Sequence, residues 1–279
     1  MKCFTLTLPE TNAALEVYLR DSFYEFVDHT LRPCMIICPG GGYQFLSDCE
    51  SEPAAMAFVR AGYQTVILRY TTRPTREAPC LNNLPLCQCA EAVRYIRSHA
   101  KEWGIHPQKI SVCGFSAGGH LAGSLGVFYA DKTRILNTSD ISCRPDAMVL
   151  CYPPVSSQIQ DPDCGGTFPA LAGTEQAMQD AWSLDAHVTP DTVPAFLWHT
   201  AEDACVSVEH SMRMAKALKE HHVPFELHIY THGPHGMSVA TGETGCSKEL
   251  PAATWLSLSL SWLNEQNVGT GYQVPVSVL

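Results

Sequence analysis

Gly114-Phe115-Ser116-Ala117-Gly118 follows a short β-rich run (110–113) and opens a small-residue helical run reaching about residue 129. A serine on a sharp turn between strand and helix is held out of the sheet with its hydroxyl exposed. Glycines flank it because side chains would collide there. The helix that follows directs free N–H groups and the positive end of its dipole at the serine, which suits a developing oxyanion. Gly and Ser are common, so the five-residue pattern alone is weak, and its place between strand and helix gives it weight. Ser116 is therefore a candidate nucleophile, with a plain Gly/Ser turn as the alternative.

A serine hydroxyl needs a base, and the base needs an acid to orient it. In a parallel sheet, groups that face a ligand sit just past the C-terminal ends of strands. Two such places follow the serine: Ala201-Glu202-Asp203-Ala204 after the run 195–200, and Thr231-His232-Gly233-Pro234-His235-Gly236 after the run 225–230. Asp203 is preferred to Glu202 because its more distal position reaches across to the next loop; Asp185 and Asp191 are weaker rivals. His235 is preferred to His232 because Gly233-Pro234 and Gly236 form a tight turn around it. The chain holds twelve histidines, so position has to discriminate. His199 and His228 read as strand-face residues, and His120 reads as a structural hydrogen-bonding group.

Oxyanion donors are also required. Pro39-Gly40-Gly41-Gly42-Tyr43 follows the apolar run 34–38, and glycine lets backbone N–H groups face an open site. Gly41 and Gly42 are the expected donors, together with the Ala117 N–H. Gly40 is expected to shape the substrate-side turn, and Tyr43 to wall the acyl pocket. A phosphate-cradling loop is the other reading, but the GK[ST] ending of a P-loop is missing.

The elements that must position these residues alternate along the chain. Strands are expected at 3–8, 14–19, 34–38, 64–70, 110–113, 147–152, 195–200 and 225–230, with a turn at 28–33. Helices are expected at 52–61, 86–103, 117–129, 208–220 and 252–266. Continuous apolar strands between helices predict an α/β fold with a mainly parallel central sheet and helices on both faces. The stretch 155–194 is a long irregular excursion, partly helical at 175–182, of the kind that forms a lid or shapes a pocket. The tail 267–279 has no clear assignment. Neither repeats nor a linker break the 279 residues, which read as one domain.

With 46% hydrophobic residues, 16% charged residues and a net charge of −10, the chain has ample core and is a poor candidate for nucleic acid or an anionic membrane surface. No apolar run approaches a membrane span, and the start lacks a signal-peptide pattern, so a cytoplasmic protein is expected. Thirteen scattered cysteines without a C-x-x-C pair argue against a zinc or redox motif and read as reduced thiols.

The assembled motifs are Pro39-Gly-Gly-Gly-Tyr43, Gly114-Phe-Ser-Ala-Gly118 with Gly119-His120-Leu121-Ala122, Glu202-Asp203 and Pro234-His235-Gly236. Their order of Ser, acid and His is that of the α/β-hydrolases. Over roughly residues 30–265 the chain resembles the α/β-hydrolase esterases, and within them the acetyl-xylan-esterase-like branch related to the hormone-sensitive-lipase group. Pro39 stands where the lipase motif has His. Ser47-Asp48-Cys49-Glu50-Ser51-Glu52 is similar to the acidic loop of the acetylesterase branch, and equally reads as an acidic helix start.

The resemblance implies a serine carboxylesterase that removes short acyl groups, foremost acetyl, from an acetylated oligosaccharide. It implies no metal and no organic cofactor; the partner is a small-molecule ester, and a homo-oligomer is left open. An amide-cleaving hydrolase (an arylformamidase or small peptidase) and a non-catalytic binding protein on the same fold are the alternatives.

Overall fold

The computed structural model describes residues 1–21, 31–135, 139–161, 166–246 and 250–272. Its strands are β1 (Lys2–Thr7), β2 (Ala14–Leu19), β3 (Arg32–Cys38), β4 (Gln64–Arg69), β5 (Ile105–Phe115), β6 (Met148–Cys151), β7 (Ala195–Thr200) and β8 (Phe225–Tyr230). Its helices are α1 (Glu52–Arg60), α2 (Leu84–Ser98), α3 (Ala117–Phe128), α4 (Thr167–Ala172), α5 (Gln176–Asp180), α6 (Glu209–Glu220) and α7 (Trp255–Glu265). The strands form one sheet in the order β1-β2-β4-β3-β5-β6-β7-β8. β1, β2 and β4 pair antiparallel at one edge, and every pair from β4 to β8 is parallel. This is the mainly parallel sheet that the alternating pattern predicts, in the α/β-hydrolase architecture that the resemblance implies.

The unbroken apolar runs are buried because both faces of the sheet are covered. Alternate residues of β3 go to opposite sides. Cys34, Ile36 and Cys38 join the layer under α2, α3 and α6, with Val93, Leu121 and Met214. Met35 and Ile37 join the layer under α1 and α7, with Phe58, Trp255 and Leu260.

Several boundaries differ from expectation for local reasons. β3 begins at Arg32, and Pro33, which has no N–H to donate, sits where the register with β5 shifts between Arg32 and Cys34. The turn expected at 28–33 otherwise lies, up to residue 30, outside the described residues. α2 ends at Ser98, short of 103: His99 caps it at φ −97° and ψ 8°, and its ring Nδ1 meets the Tyr95 carbonyl at 2.9 Å. The chain then enters β5 already at Ile105, which pairs with Arg32. The final helix starts at Trp255, after a 3₁₀ turn over Pro251–Thr254. Within the excursion, α4, α5 and a 3₁₀ turn at Leu184–Ala186 are ordered elements. The cysteine reading needs correction: eleven described cysteines are free, but Cys205 is disulfide-bonded. No helix among the described residues is long and apolar enough to cross a membrane.

Register brings the chemistry together. Cys38 pairs with Gly114, so the glycine loop leaves β3 beside the serine turn. Phe115 pairs with Cys151, and Thr200 pairs with Tyr230, so the loops after β7 and β8 emerge side by side. The contact that fixes the serine turn is backbone on backbone. A Cβ on Gly118 would lie 2.0 Å from the Cys38 carbonyl oxygen and 2.4 Å from that of Pro39, and one on Gly114 would lie 2.0 Å from the Gly118 carbonyl oxygen. Gly118→Ala is expected to lower the unfolding free energy by about 1–3 kcal/mol. Gly242→Ala, where nothing lies within 4 Å, should stay within about 0.5 kcal/mol. Equal effects in urea titrations would contradict this packing.

His120 ties α3 to the excursion. It is fully buried, donates through Nε2 to the Trp182 carbonyl at 2.9 Å, and accepts the Tyr43 hydroxyl on Nδ1 at 3.1 Å. Burial lowers its pKa from 6.5 to about 4. Between these values the unfolded chain binds the proton that the folded one refuses, so stability falls as pH drops from about 6.5 towards 4, by of order 3 kcal/mol from this group. His120→Gln should flatten that part of the pH–stability curve; an unchanged slope would show that the imidazole is not held neutral.

Candidate active site

Ser116 adopts φ 51° and ψ −122°, the strained conformation of a residue on a sharp strand-to-helix turn. Its N–H donates to the Cys151 carbonyl at 2.9 Å, which pins the turn to β6. The hydroxyl therefore stands clear of the sheet at the C-terminal ends of the strands.

His235 Nε2 lies 2.8 Å from Ser116 Oγ, and His235 Nδ1 lies 2.7 Å from Asp203 Oδ2. A carboxylate only accepts, so the ring proton belongs on Nδ1 and the serine hydroxyl donates to Nε2. Gly233 and Gly236 have φ values of 142° and 77°, and they bend the loop that presents the imidazole. The Thr200 hydroxyl donates to the Gly233 carbonyl at 2.7 Å and ties that loop to β7. Tyr152 packs against the imidazole edge-on, with ring centroids 4.9 Å apart.

Asp203 is buried and fully engaged. Oδ1 accepts the N–H groups of Cys205 and Val206, both at 2.9 Å. Oδ2 faces His235 and also His199 Nε2, at 3.2 Å. Burial pushes its carboxyl up, but hydrogen bonds from His199, His235 and Val206, with the charge of His235, hold it well below the usual carboxylate range. His199 is thus more than a strand-face residue: it is fully buried, its Nδ1 meets Ser211 Oγ at 2.8 Å, and its Nε2, which donates to the Val206 carbonyl at 2.9 Å, also stands beside Asp203 Oδ2.

The rival residues are elsewhere. Glu202 and His232 pair with one another at 2.7 Å on the exposed rim. His228 pairs with Glu226 on β8. Asp185 lies in the 3₁₀ turn of the excursion, and Asp191 lies exposed near its end.

Beside the serine, Gly41 and Gly42 have φ values of 122° and 61°. The Gly41 carbonyl turns inward to accept the Gln44 and Phe45 N–H groups, and the Gly40 carbonyl accepts that of Ser47. No hydrogen bond to another described residue engages the N–H groups of Gly41, Gly42 or Ala117. Gly40 differs: its N–H donates to Glu50 Oε2 at 2.8 Å, and a Cβ there would lie 2.5 Å from that oxygen and 2.9 Å from Ser116 Cβ. Gly40 therefore permits close approach and does not line the cavity.

Tyr43 is corrected as well. It is buried against Tyr70 and His120, away from the cavity, because its positive φ of 58° turns the side chain into the core. Gln44 and the exposed Phe45 take its place in the wall.

The cavity over Ser116 and His235 measures about 830 Å³. Arg73, Arg76 and Glu50 line it, and α4 contributes Thr167, Pro169 and Ala170. Arg73 is a strut: its guanidinium donates to the carbonyls of Ala78, Pro169 and Arg76 and fastens the loop after β4 to α4. Sequence spacing alone does not mark Glu50, His199 or Phe45 as site residues. The only signals in the sequence are the place of Glu50 in the acidic stretch 47–52 and of His199 four residues before Asp203.

Known proteins carry related chains. The sequence is 38% identical over 218 residues to endo-1,4-beta-xylanase B of Butyrivibrio fibrisolvens, covering 77% of this chain and 34% of that protein. It is 27% identical over 215 residues to an acetylxylan esterase of Xylanibacter ruminicola, covering 73% of this chain and 40% of that one. The chain thus spans between a third and two-fifths of the length of these curated relatives. Among solved structures, an acetyl ester-xyloside bifunctional hydrolase from Caldicellulosiruptor lactoaceticus superposes with a TM-score of 0.78 at 35% identity, covering 93% of this chain and 90% of that one. The BD-FAE family model matches residues 21–218, which include the glycine loop, the serine turn and Asp203. With the serine turn and the acid loop inside a match that covers most of its length, the chain belongs to the BD-FAE family of α/β-hydrolases.

Proposed function

We propose that the protein is a serine carboxylesterase that removes acetyl and other short acyl groups from acetylated oligosaccharides. The observation that carries this reading is the unbroken hydrogen-bond chain Ser116–His235–Asp203 beside three N–H groups that no other described residue engages. His235 Nε2 takes the Ser116 proton as Oγ attacks the ester carbonyl. The oxyanion that forms is held by the N–H groups of Gly41, Gly42 and Ala117, at the start of α3. The imidazolium, steadied by Asp203, passes its proton to the departing alcohol oxygen and leaves an acyl-serine. A water then attacks that acyl carbon as His235 accepts its proton, and the proton returns to Ser116 Oγ when the acid departs.

The substrate class is supported by two relatives, an acetylxylan esterase and an acetyl ester-xyloside bifunctional hydrolase, and by a third that is a xylanase. It is also supported by a cavity large enough for a sugar ring, with polar groups such as Gln44, Arg76 and Thr167 on its wall.

Ser116→Ala is expected to lower turnover of 4-nitrophenyl acetate by about 10⁴-fold or more. The wild type should release acetate from acetylated xylo-oligosaccharides and act far more slowly on formyl anilides and peptidyl amides. Equal or faster amide cleavage would favour the amidase reading, and unchanged turnover in Ser116→Ala would end the serine mechanism. The pH profile gives a second check. Asp203 is held below the usual carboxylate range, so it stays ionised above about pH 4. Lowering the pH from neutral towards 4 should therefore leave Asp203 ionised; a carboxyl infrared band, absent in Asp203→Asn, that changes from ionised to protonated above pH 4 would contradict this.

A further inference from the structure

Glu50 is a carboxyl group buried at 2% exposure on the floor of the site, just before the N-cap of α1. A buried carboxyl is costly unless its oxygens are well hydrogen-bonded, and both of these are. Oε2 accepts the Gly40 N–H at 2.8 Å, and Oε1 accepts the Tyr152 hydroxyl at 2.8 Å. The same Tyr152 hydroxyl accepts the Ser238 N–H at 2.8 Å. Gly40 belongs to the glycine loop, directly before Gly41, whereas Ser238 follows His235 in the next tight turn. Four groups from separate parts of the chain thus form one path: glycine loop, Glu50, Tyr152, histidine loop.

The backbone is shaped around this path. The gap at Gly40 admits the carboxylate only because no Cβ is there. Tyr152 and Ser238 are held at positive φ, 39° and 53°, conformations that non-glycine residues adopt only where the surroundings enforce them. The Ser238 carbonyl is fixed in turn by the Trp255 indole N–H at 3.0 Å. The Tyr152 ring lies edge-on to His235 as well, so hydroxyl and ring act on the same loop.

Resting on the esterase reading above, we propose that Glu50 is a positioning residue. Through Gly40 and through Tyr152 it clamps the glycine loop to the histidine loop and so sets the aim of the Gly41 and Gly42 N–H groups relative to the Ser116–His235 pair. Burial pushes its carboxyl up, opposed by the Tyr152 and Gly40 hydrogen bonds and by the charge of His235, in keeping with a group placed for geometry in a tight, low-dielectric seat. An error of about 1 Å in the alignment of such groups is enough to lower turnover a hundredfold without weakening binding of the ground state.

The test compares the full-length wild type with Glu50→Ala, Glu50→Gln and Tyr152→Phe. It reads kcat and KM on 4-nitrophenyl acetate, the rate of Ser116 phosphonylation by a fluorophosphonate probe, and the thermal midpoint. Phosphonylation also places an oxygen among the loop N–H groups, but it does not depend on the natural substrate. Glu50→Ala and Tyr152→Phe should lower both kcat and the phosphonylation rate about tenfold or more, with KM within about threefold. Glu50→Gln, which keeps an acceptor for the Gly40 N–H, should retain several times the rate of Glu50→Ala. If Glu50→Ala fails to fold, Glu50→Gln and Tyr152→Phe decide the matter, because each preserves volume. The proposal is overturned if those two variants phosphonylate at the wild-type rate, or if their losses match only the unfolded fraction. A wild type that phosphonylates but hydrolyses no acetyl ester would sink the esterase reading and leave the clamp standing; one that does not phosphonylate would remove both.

Discussion

The close approach of α3 to the end of β3 is the constraint on which the rest of the molecule depends. At Gly118 the helix backbone comes so near the Cys38 and Pro39 carbonyls that no side chain fits. That contact sets the glycine loop beside Ser116 and keeps Ser116 in a conformation that costs about 1–3 kcal/mol. The strain is sustained because the neighbouring strands are buried on both faces and cannot yield independently. Position at a topological switch point, where β3 and β5 send their connections in opposite directions, then opens a crevice above the serine.

Around this fixed point, one type of group is tuned in opposite directions by its surroundings. Asp203 accepts N–H groups from Cys205, Val206 and two imidazoles, so it stays ionised despite burial. Glu50, linked to the histidine loop through Tyr152, is pushed up by burial and is bound by neutral donors. Environment alone separates the behaviour of these two carboxyls. His120 shows the same principle for a base: deep in the core it is held neutral and serves packing.

Much of this was legible in the sequence. Continuous apolar runs such as 34–38 and 195–200 mark strands with two covered faces, and residues just past their ends were the natural candidates for the site. Ser116, Asp203 and His235 could be selected because parallel topology limits where ligand-facing groups emerge. What escaped was everything decided by side-chain direction. Tyr43 follows the glycines in sequence, yet a positive φ turns it inward, which spacing cannot reveal. Glu50 reads as an ordinary acidic helix start, and only the fold shows that it reaches Gly40 and Tyr152. His199 sits in an apolar strand pattern, and its link to Asp203 depends on how the following loop curls back. Cys205 could not be distinguished from the free thiols, since a scattered set of cysteines carries no pairing information.

The central claim is that Ser116 carries the acyl group during turnover. It is tested most directly by mixing the protein with a short acetyl ester, quenching in acid within the first turnovers, and mapping the adduct by peptide mass spectrometry. The account requires one acetyl group on the peptide that contains Ser116, forming before steady state and disappearing as substrate is exhausted. Acetyl on a different residue, or full hydrolytic activity with no covalent adduct even when deacylation is slowed, would contradict it.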